Sequence, residues 1–241
     1  MQSLHITATD LARVVWPKFY GAQLDIYKMR DKLAEFFQTN ESLRKQADYN
    51  TGSINVVDML NLACLTNYVK PKKVIEIGTF IGNSTVAMAH GMRLAGIAGE
   101  IHTCDNSNSI TLVNPYTNIK INQYKKQGST AMLKALSENP RHQKEKFDLL
   151  YVDGRIQEGD LEFLQVLLDP NVIIALDDFE SMEKGVDNVR NLLQCGLFPN
   201  HILIHPTAQS DIAKLPVFQT SQTRSATALL LPVTMFGFSR V

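Results

Sequence analysis

The sequence predicts an α/β protein: a doubly wound, seven-stranded, mostly parallel sheet whose last strand runs antiparallel, preceded by an N-terminal helical extension. Three observations carry that expectation. From Lys73 onward, short apolar runs alternate with segments of helical periodicity, the texture of β-α-β units. Residues 11–47 instead repeat apolar side chains at helical spacing among many charges, as in Ile26, Met29, Leu33, Phe36 and Phe37, which reads as two or three amphipathic helices. The last two strand-like runs have no clear helix between them, so they close the sheet as an antiparallel hairpin.

In chain order, a helical cap is expected over residues 1–50 and one sheet-bearing domain over 51–241. Asn50-Thr51-Gly52-Ser53 punctuates the chain, and a helix over 54–68 is closed by Pro71. Strands are expected at 74–78, 100–105, within 119–127, and at 147–153, 171–177, 201–205 and 226–231. Helices at 83–95, 130–137, 158–168 and 182–195 fill most of the gaps. Val113-Asn114-Pro115-Tyr116-Thr117-Asn118 is turn-like, either a substrate-facing loop or a shortened connection.

Composition narrows the function. A chain of 241 residues, 44% of them hydrophobic, can bury one sizeable core. Lys plus Arg and Asp plus Glu both total 24, and zero formal charge offers no field for gathering nucleic acid or an anionic membrane surface. No apolar run approaches bilayer length and the first residues lack a signal-peptide pattern, so a cytoplasmic protein is expected. Cys64, Cys104 and Cys195 are odd in number and far apart with no CxxC pair, which fits reduced core thiols.

In a doubly wound sheet, ligands bind beyond the carboxyl ends of the strands, where the strand order reverses. Those ends read Glu76-Ile77-Gly78-Thr79-Phe80-Ile81-Gly82-Asn83-Ser84, then Asp105, Gly128-Ser129-Thr130, Asp153-Gly154-Arg155 and Asp177-Asp178. A glycine directly after a buried strand turns the chain tightly and admits a ligand with no Cβ in the way. The helix start just beyond offers free N–H groups to a carboxylate, and Ser84 adds a hydroxyl. The spacing is GxxxG rather than GxGxxG, which disfavours a nicotinamide cofactor.

The run VIEIGTFIGNSTVAMA, followed by HTCD, QGST, LLYVDG and IIALDD, resembles the class I S-adenosylmethionine-dependent methyltransferases. Within them it is most similar to the catechol O-methyltransferase-like group that acts on small molecules. The resemblance covers residues 51–178 and implies a Rossmann-like fold and methyl transfer to a small-molecule hydroxyl. It implies that the Gly78 and Gly82 backbone and Ser84 hold the methionine part of the cofactor, in a turn that also takes in Glu76, Thr79, Phe80 and Asn83. Asp105 would accept both ribose hydroxyls, because a carboxylate presents two acceptor oxygens to a vicinal diol. Gly128, Ser129 and Thr130 fall at the adenine, and Thr51, Gly52 and Ser53 on the segment that closes over the cofactor. Asp153 would face both the cofactor ammonium and a divalent cation, with Asp177 and Asp178 as the other metal ligands and Asp153 and Asp177 acting in catalysis. Three acids without basic partners would repel one another unless a cation sat between them or their pKa values rose, and hard oxygen ligands favour Mg²⁺.

The chain departs from that pattern in two ways. Relatives carry a lysine or histidine three residues after the strand-four aspartate, where this chain has Ile156, so no general base is inherited; Asp178 stands where an asparagine is usual. A metal-free N- or C-methyltransferase and a non-catalytic cofactor-binding protein are the alternatives. Blander readings stand beside the sharp ones. Asp105 could cap a helix or turn, Asp177 and Asp178 could be a loop acid and a helix-start acid, and Arg155 could form a surface ion pair with Glu158. His205 could be a base, His102 and Cys104 read as packed, and Trp16, Phe19, Tyr20, Phe36 and Phe37 roof a pocket or join the core or a dimer contact. A homodimer through the N-terminal helices is implied by family analogy alone.

Overall fold

Lys73–Ile77, with sequence KVIEI, is buried at every position, as a central strand covered on both faces must be. In the computed structural model, which describes residues 25–49, 52–106, 110–179, 184–204 and 227–236, it forms β1. The others are β2 (Gly99–Asp105), β3 (Ile119–Lys125), β4 (Phe147–Val152), β5 (Leu168–Leu176), β6 (His201–Ile204) and β7 (Ala228–Pro232). Their order is β3-β2-β1-β4-β5-β7-β6, and β7 runs antiparallel to both β5 and β6. The chain therefore reverses direction across the sheet between β1 and β4, and a crevice opens at their carboxyl ends.

Strand alternation sends side chains to two layers. Val74, Leu149, Tyr151, Ile173 and Ala175 face α1 (Ile26–Glu41), α2 (Val56–Val69) and α3 (Asn83–Leu94). Ile75, Ile77, Leu150, Val152, Ile174 and Leu176 face α4 (Ser129–Ser137), α6 (Asp160–Leu167) and α7 (Lys184–Gln194). Asn55 caps α2 by accepting from the Val57 and Asp58 N–H groups at 2.8 and 3.2 Å. At Gly91 a Cβ would lie 2.0 Å from Thr66 Oγ1 and 2.2 Å from the Ala63 carbonyl, so α2 and α3 touch backbone to backbone. Met29 and Leu33 of α1 are buried in the same core.

Two elements differ from expectation. The helix expected over 158–168 stops at Leu167 and β5 starts at Leu168, because Pro170 disfavours a helical Asp169 and Leu168 pairs with Phe147. A short helix, α5 (Pro140–Lys144), appears where none was expected; Asn139 caps it at 3.0 Å and Pro140 occupies its first turn. Thr51, His205, Trp16, Phe19, Tyr20 and the helices expected before residue 25 lie outside the described residues. Among the described residues no helix is long and apolar enough to cross a membrane.

Candidate active site

A cavity of about 670 Å³ opens at the carboxyl ends of β1, β2 and β4. Gly78 creates it. Its φ is +105°, and a Cβ there would lie 3.0 Å from both the Asp153 carbonyl carbon and the Gly154 nitrogen. The Asp153 and Gly154 N–H groups both donate to the Ile77 carbonyl at 2.9 Å, which locks the exit of β4 against that of β1. Asp105, ending β2, accepts on Oδ2 from the Phe80 N–H at 2.8 Å and from the Tyr49 hydroxyl at 2.9 Å. Phe80 itself has a positive φ of +43°, and the Asp105 carboxylate holds that turn.

The expected cofactor residues divide into a wall and a layer behind it. Gly52, Gly78, Phe80, Asp105, Gly128 and Asp153 line the cavity. Ser129 and Thr130 line it too, but their hydroxyls each donate to Asp160 at 2.6 Å and so brace the start of α6. Behind the wall, Glu76 is fully buried and accepts from Ser84 Oγ and Thr85 Oγ1, both at 2.5 Å. Burial raises Glu76 to about 7 against the pull of those hydroxyls. Ser84 is thus spent on the β1 carboxylate, where a cofactor contact was expected. Thr79 pairs with Thr103 at 2.5 Å, Asn83 donates to Ser53 Oγ at 3.0 Å, and a Cβ on Gly82 would meet Leu112 at 2.4 Å. Leu112, just before the turn-like segment, therefore lies over the glycine turn.

At the acidic end the expectation of carboxylates without a basic partner is corrected. Lys184 Nζ stands 2.7 Å from Asp153 Oδ1 and 2.8 Å from Asp178 Oδ2. Asp177 Oδ1 accepts from Thr227 Oγ1 at 3.0 Å. Burial and the Asp177 carboxylate push Asp153 well above the ordinary range, with Lys184 pulling the other way. Burial and Asp178 raise Asp177 to about 6. Burial disfavours the Lys184 ammonium, yet Asp153 and Asp178 outweigh it and raise the Lys184 pKa. Lys184 and Asp153 reach the cavity wall, whereas Asp177 and Asp178 do not. Among the described residues, the three metal-type donors whose ligand atoms all lie within 4.8 Å of one another are Glu100, His102 and His142, not these aspartates. As it stands the acid cluster does not fit a resident metal.

Residues 75–179 match the family model described as a methyltransferase domain. The O-methyltransferase ankF of Aspergillus thermomutatus is 26% identical over 174 residues, which covers 62% of this chain and 68% of that protein. Among solved structures, the O-methyltransferase from Bacillus cereus in complex with SAH is 14% identical at a TM-score of 0.53, covering 83% of this chain and 90% of that one. Cofactor-bound Rv0187 from MTB is 15% identical at a TM-score of 0.52, over 95% and 98% of the two chains. The fold is the Rossmann-like one of these solved structures.

Tyr49, Gly52 and Lys184 of the cavity wall lie outside the matched span, and sequence reasoning missed Tyr49 and Lys184. Tyr49 precedes it and is packed against the Phe80 ring at 5.3 Å; its only sequence signal is its place beside the punctuation at Asn50. Lys184 follows it, seven residues after Asp177. Ile156, where relatives carry a base, is buried in the core, and its N–H donates to Asn188 at 2.9 Å. Arg155 pairs with Asp187 at 3.6 Å on the surface, and His102 and Cys104 are packed in β2.

Proposed function

We propose that this protein transfers the methyl group of S-adenosylmethionine to a hydroxyl oxygen of a small molecule. The observation that carries the reading is Asp105, a carboxylate fixed by a backbone N–H and a tyrosine hydroxyl on the wall of a cavity that runs to Asp153 and Lys184. An acid so placed suits the ribose diol, and the Gly78 backbone on the same cavity wall suits the methionine end. The acceptor oxygen would then attack the methyl carbon. The new C–O bond forms as the C–S bond breaks, the electron pair stays on sulfur as S-adenosylhomocysteine, and the hydroxyl proton passes to Asp153. Its raised pKa makes Asp153 a better proton acceptor near neutrality than an ordinary carboxylate. The sulfonium is already activated, so the protein supplies orientation and deprotonation.

The Mg²⁺ that the resemblance implies would need Asp153 and Asp178 at the point where Lys184 stands. The test is incubation with methyl-labelled S-adenosylmethionine and a panel of phenols, vicinal diols and hydroxy acids, followed by mass spectrometry. Labelled methyl ethers formed one-to-one with S-adenosylhomocysteine are the expected result. Methyl found only on nitrogen or carbon would replace the hydroxyl reading.

A further inference from the structure

We propose that Lys184 is the resident cation of the acid cluster and the group that anchors the acceptor oxygen, so that transfer needs no divalent metal. The proposal rests on the methyltransferase reading. Three carboxylates drawn together at a strand edge stay ionised only with positive charge among them. Lys184 supplies it at 2.7 and 2.8 Å from two of them.

The position is built rather than incidental. Gly185 lets the start of α7 rest on the end of β5, since a Cβ there would lie 2.3 Å from the Asp177 carbonyl oxygen and 2.8 Å from Asp178. One turn further on, the buried Asn188 accepts from the Ile156 N–H and donates to the Gly154 carbonyl, both at 2.9 Å. Lys184, Gly185 and Asn188 thus fasten α7 to the exits of β4 and β5 together, and the first of them is delivered to the acids.

The chemistry follows from which groups face the cavity. Asp177 and Asp178 do not line it, whereas Lys184 does, so an incoming ligand meets the ammonium and Asp153, while Arg155 on the same wall is paired with Asp187 at 3.6 Å. An ammonium has three N–H donors. Asp153 and Asp178 take two, and the third is available to an acceptor oxygen that becomes anionic as it loses its proton. A fixed positive charge in a partly water-excluded site stabilises such an oxyanion. The substrate class is therefore a hydroxyl that ionises readily, such as a phenol.

The experiment is titration of the full chain with Mn²⁺ alone, read by electron paramagnetic resonance, for wild type, Lys184→Ala, Lys184→Arg and Asp178→Asn. Each protein is titrated separately with S-adenosylhomocysteine. The wild type and Lys184→Arg should show no Asp178-dependent Mn²⁺ site. Lys184→Ala should gain one, binding at least about tenfold more tightly than wild type, because removing the ammonium leaves the carboxylates to a hard cation. Wild-type Mn²⁺ binding that Asp178→Asn abolishes would overturn the proposal, as would no gain in Lys184→Ala. Should Lys184→Ala not fold, the comparison of wild type with Asp178→Asn still decides. Failure of S-adenosylhomocysteine to bind would instead sink the methyltransferase reading, while the Mn²⁺ arms still judge where the cation sits.

Discussion

Lys184 and Lys73 are both lysines set among acids at opposite ends of one sheet, yet they are held in opposite ways. Lys184 touches two carboxylates and keeps a quarter of its side chain exposed beside the cavity. Lys73 is only 6% exposed, contacts His142 Nδ1 at 2.7 Å and the Glu145 carbonyl at 2.5 Å, and finds Glu100 no nearer than 3.7 Å. Burial lowers the pKa of Lys73 because the distant Glu100 cannot offset it, whereas the closer pair of aspartates raises that of Lys184. Burial likewise lowers His102 to about 4 and, with Lys73, lowers His142. The lower cluster has the distances of a metal site, but Lys73 and Arg141 already stand 3.7 and 3.5 Å from its one carboxylate. Similar residue types therefore make a closed polar plug at one end and a reaction site at the other. What separates them is access to a cavity and the excess of carboxylates over cations.

The largest effect that could break this contrast is on stability. Lys73→Met leaves Glu100 buried with weaker compensation and should cost about 2–4 kcal/mol in urea unfolding, without changing S-adenosylhomocysteine binding. Lys184→Met acts at a partly exposed ion pair whose aspartates can still meet water, and should cost less than Lys73→Met. Equal costs, or a loss of cofactor binding in Lys73→Met, would erase the distinction between plug and site.

A smaller effect sharpens the account of the layer behind the wall. The folded-state pKa of Glu76 is about 7 against an ordinary 4.5, so the folded protein holds a proton that the unfolded chain releases in that window. Stability should fall as pH rises from 4.5 to 7, by up to about 3 kcal/mol, and level off above. His90 and His102, lowered to about 4 by burial, act in the other direction, costing stability as pH falls through 6.5. The difference between wild type and Glu76→Gln across that range isolates the Glu76 part. A flat difference would mean that Glu76 is ionised in the fold.

Much of this arrangement was legible in the residues. All seven strands were, four of them as runs ended by glycine or an acid (Gly78, Asp105, Asp153 and Asp177), and so was the gathering of Gly78, Asp105 and Asp153 at one sheet edge. What escaped was set by side-chain direction and by contacts that spacing does not encode. Ser84 reads as a cofactor ligand from its place at a helix start, yet it turns back to Glu76, eight residues earlier. Tyr49 reaches Asp105 across 56 positions, and nothing in its neighbours announces that. Lys184 sits in a helix whose apolar pattern was read correctly; only the fit of Gly185 against Asp177 shows where that helix begins its descent onto the acids. The early start of β5 was visible in principle, since Pro170 cannot let a helix run on.

The central claim is that the cavity beside Asp105 holds S-adenosylmethionine. Calorimetric titration of S-adenosylmethionine into wild type and Asp105→Ala tests it most directly. One-to-one binding by the wild type, weakened at least about tenfold in Asp105→Ala with the fold intact, is the expected result, since a charged hydrogen-bond acceptor is lost. No binding by the wild type, or equal affinity in both proteins, would contradict the account.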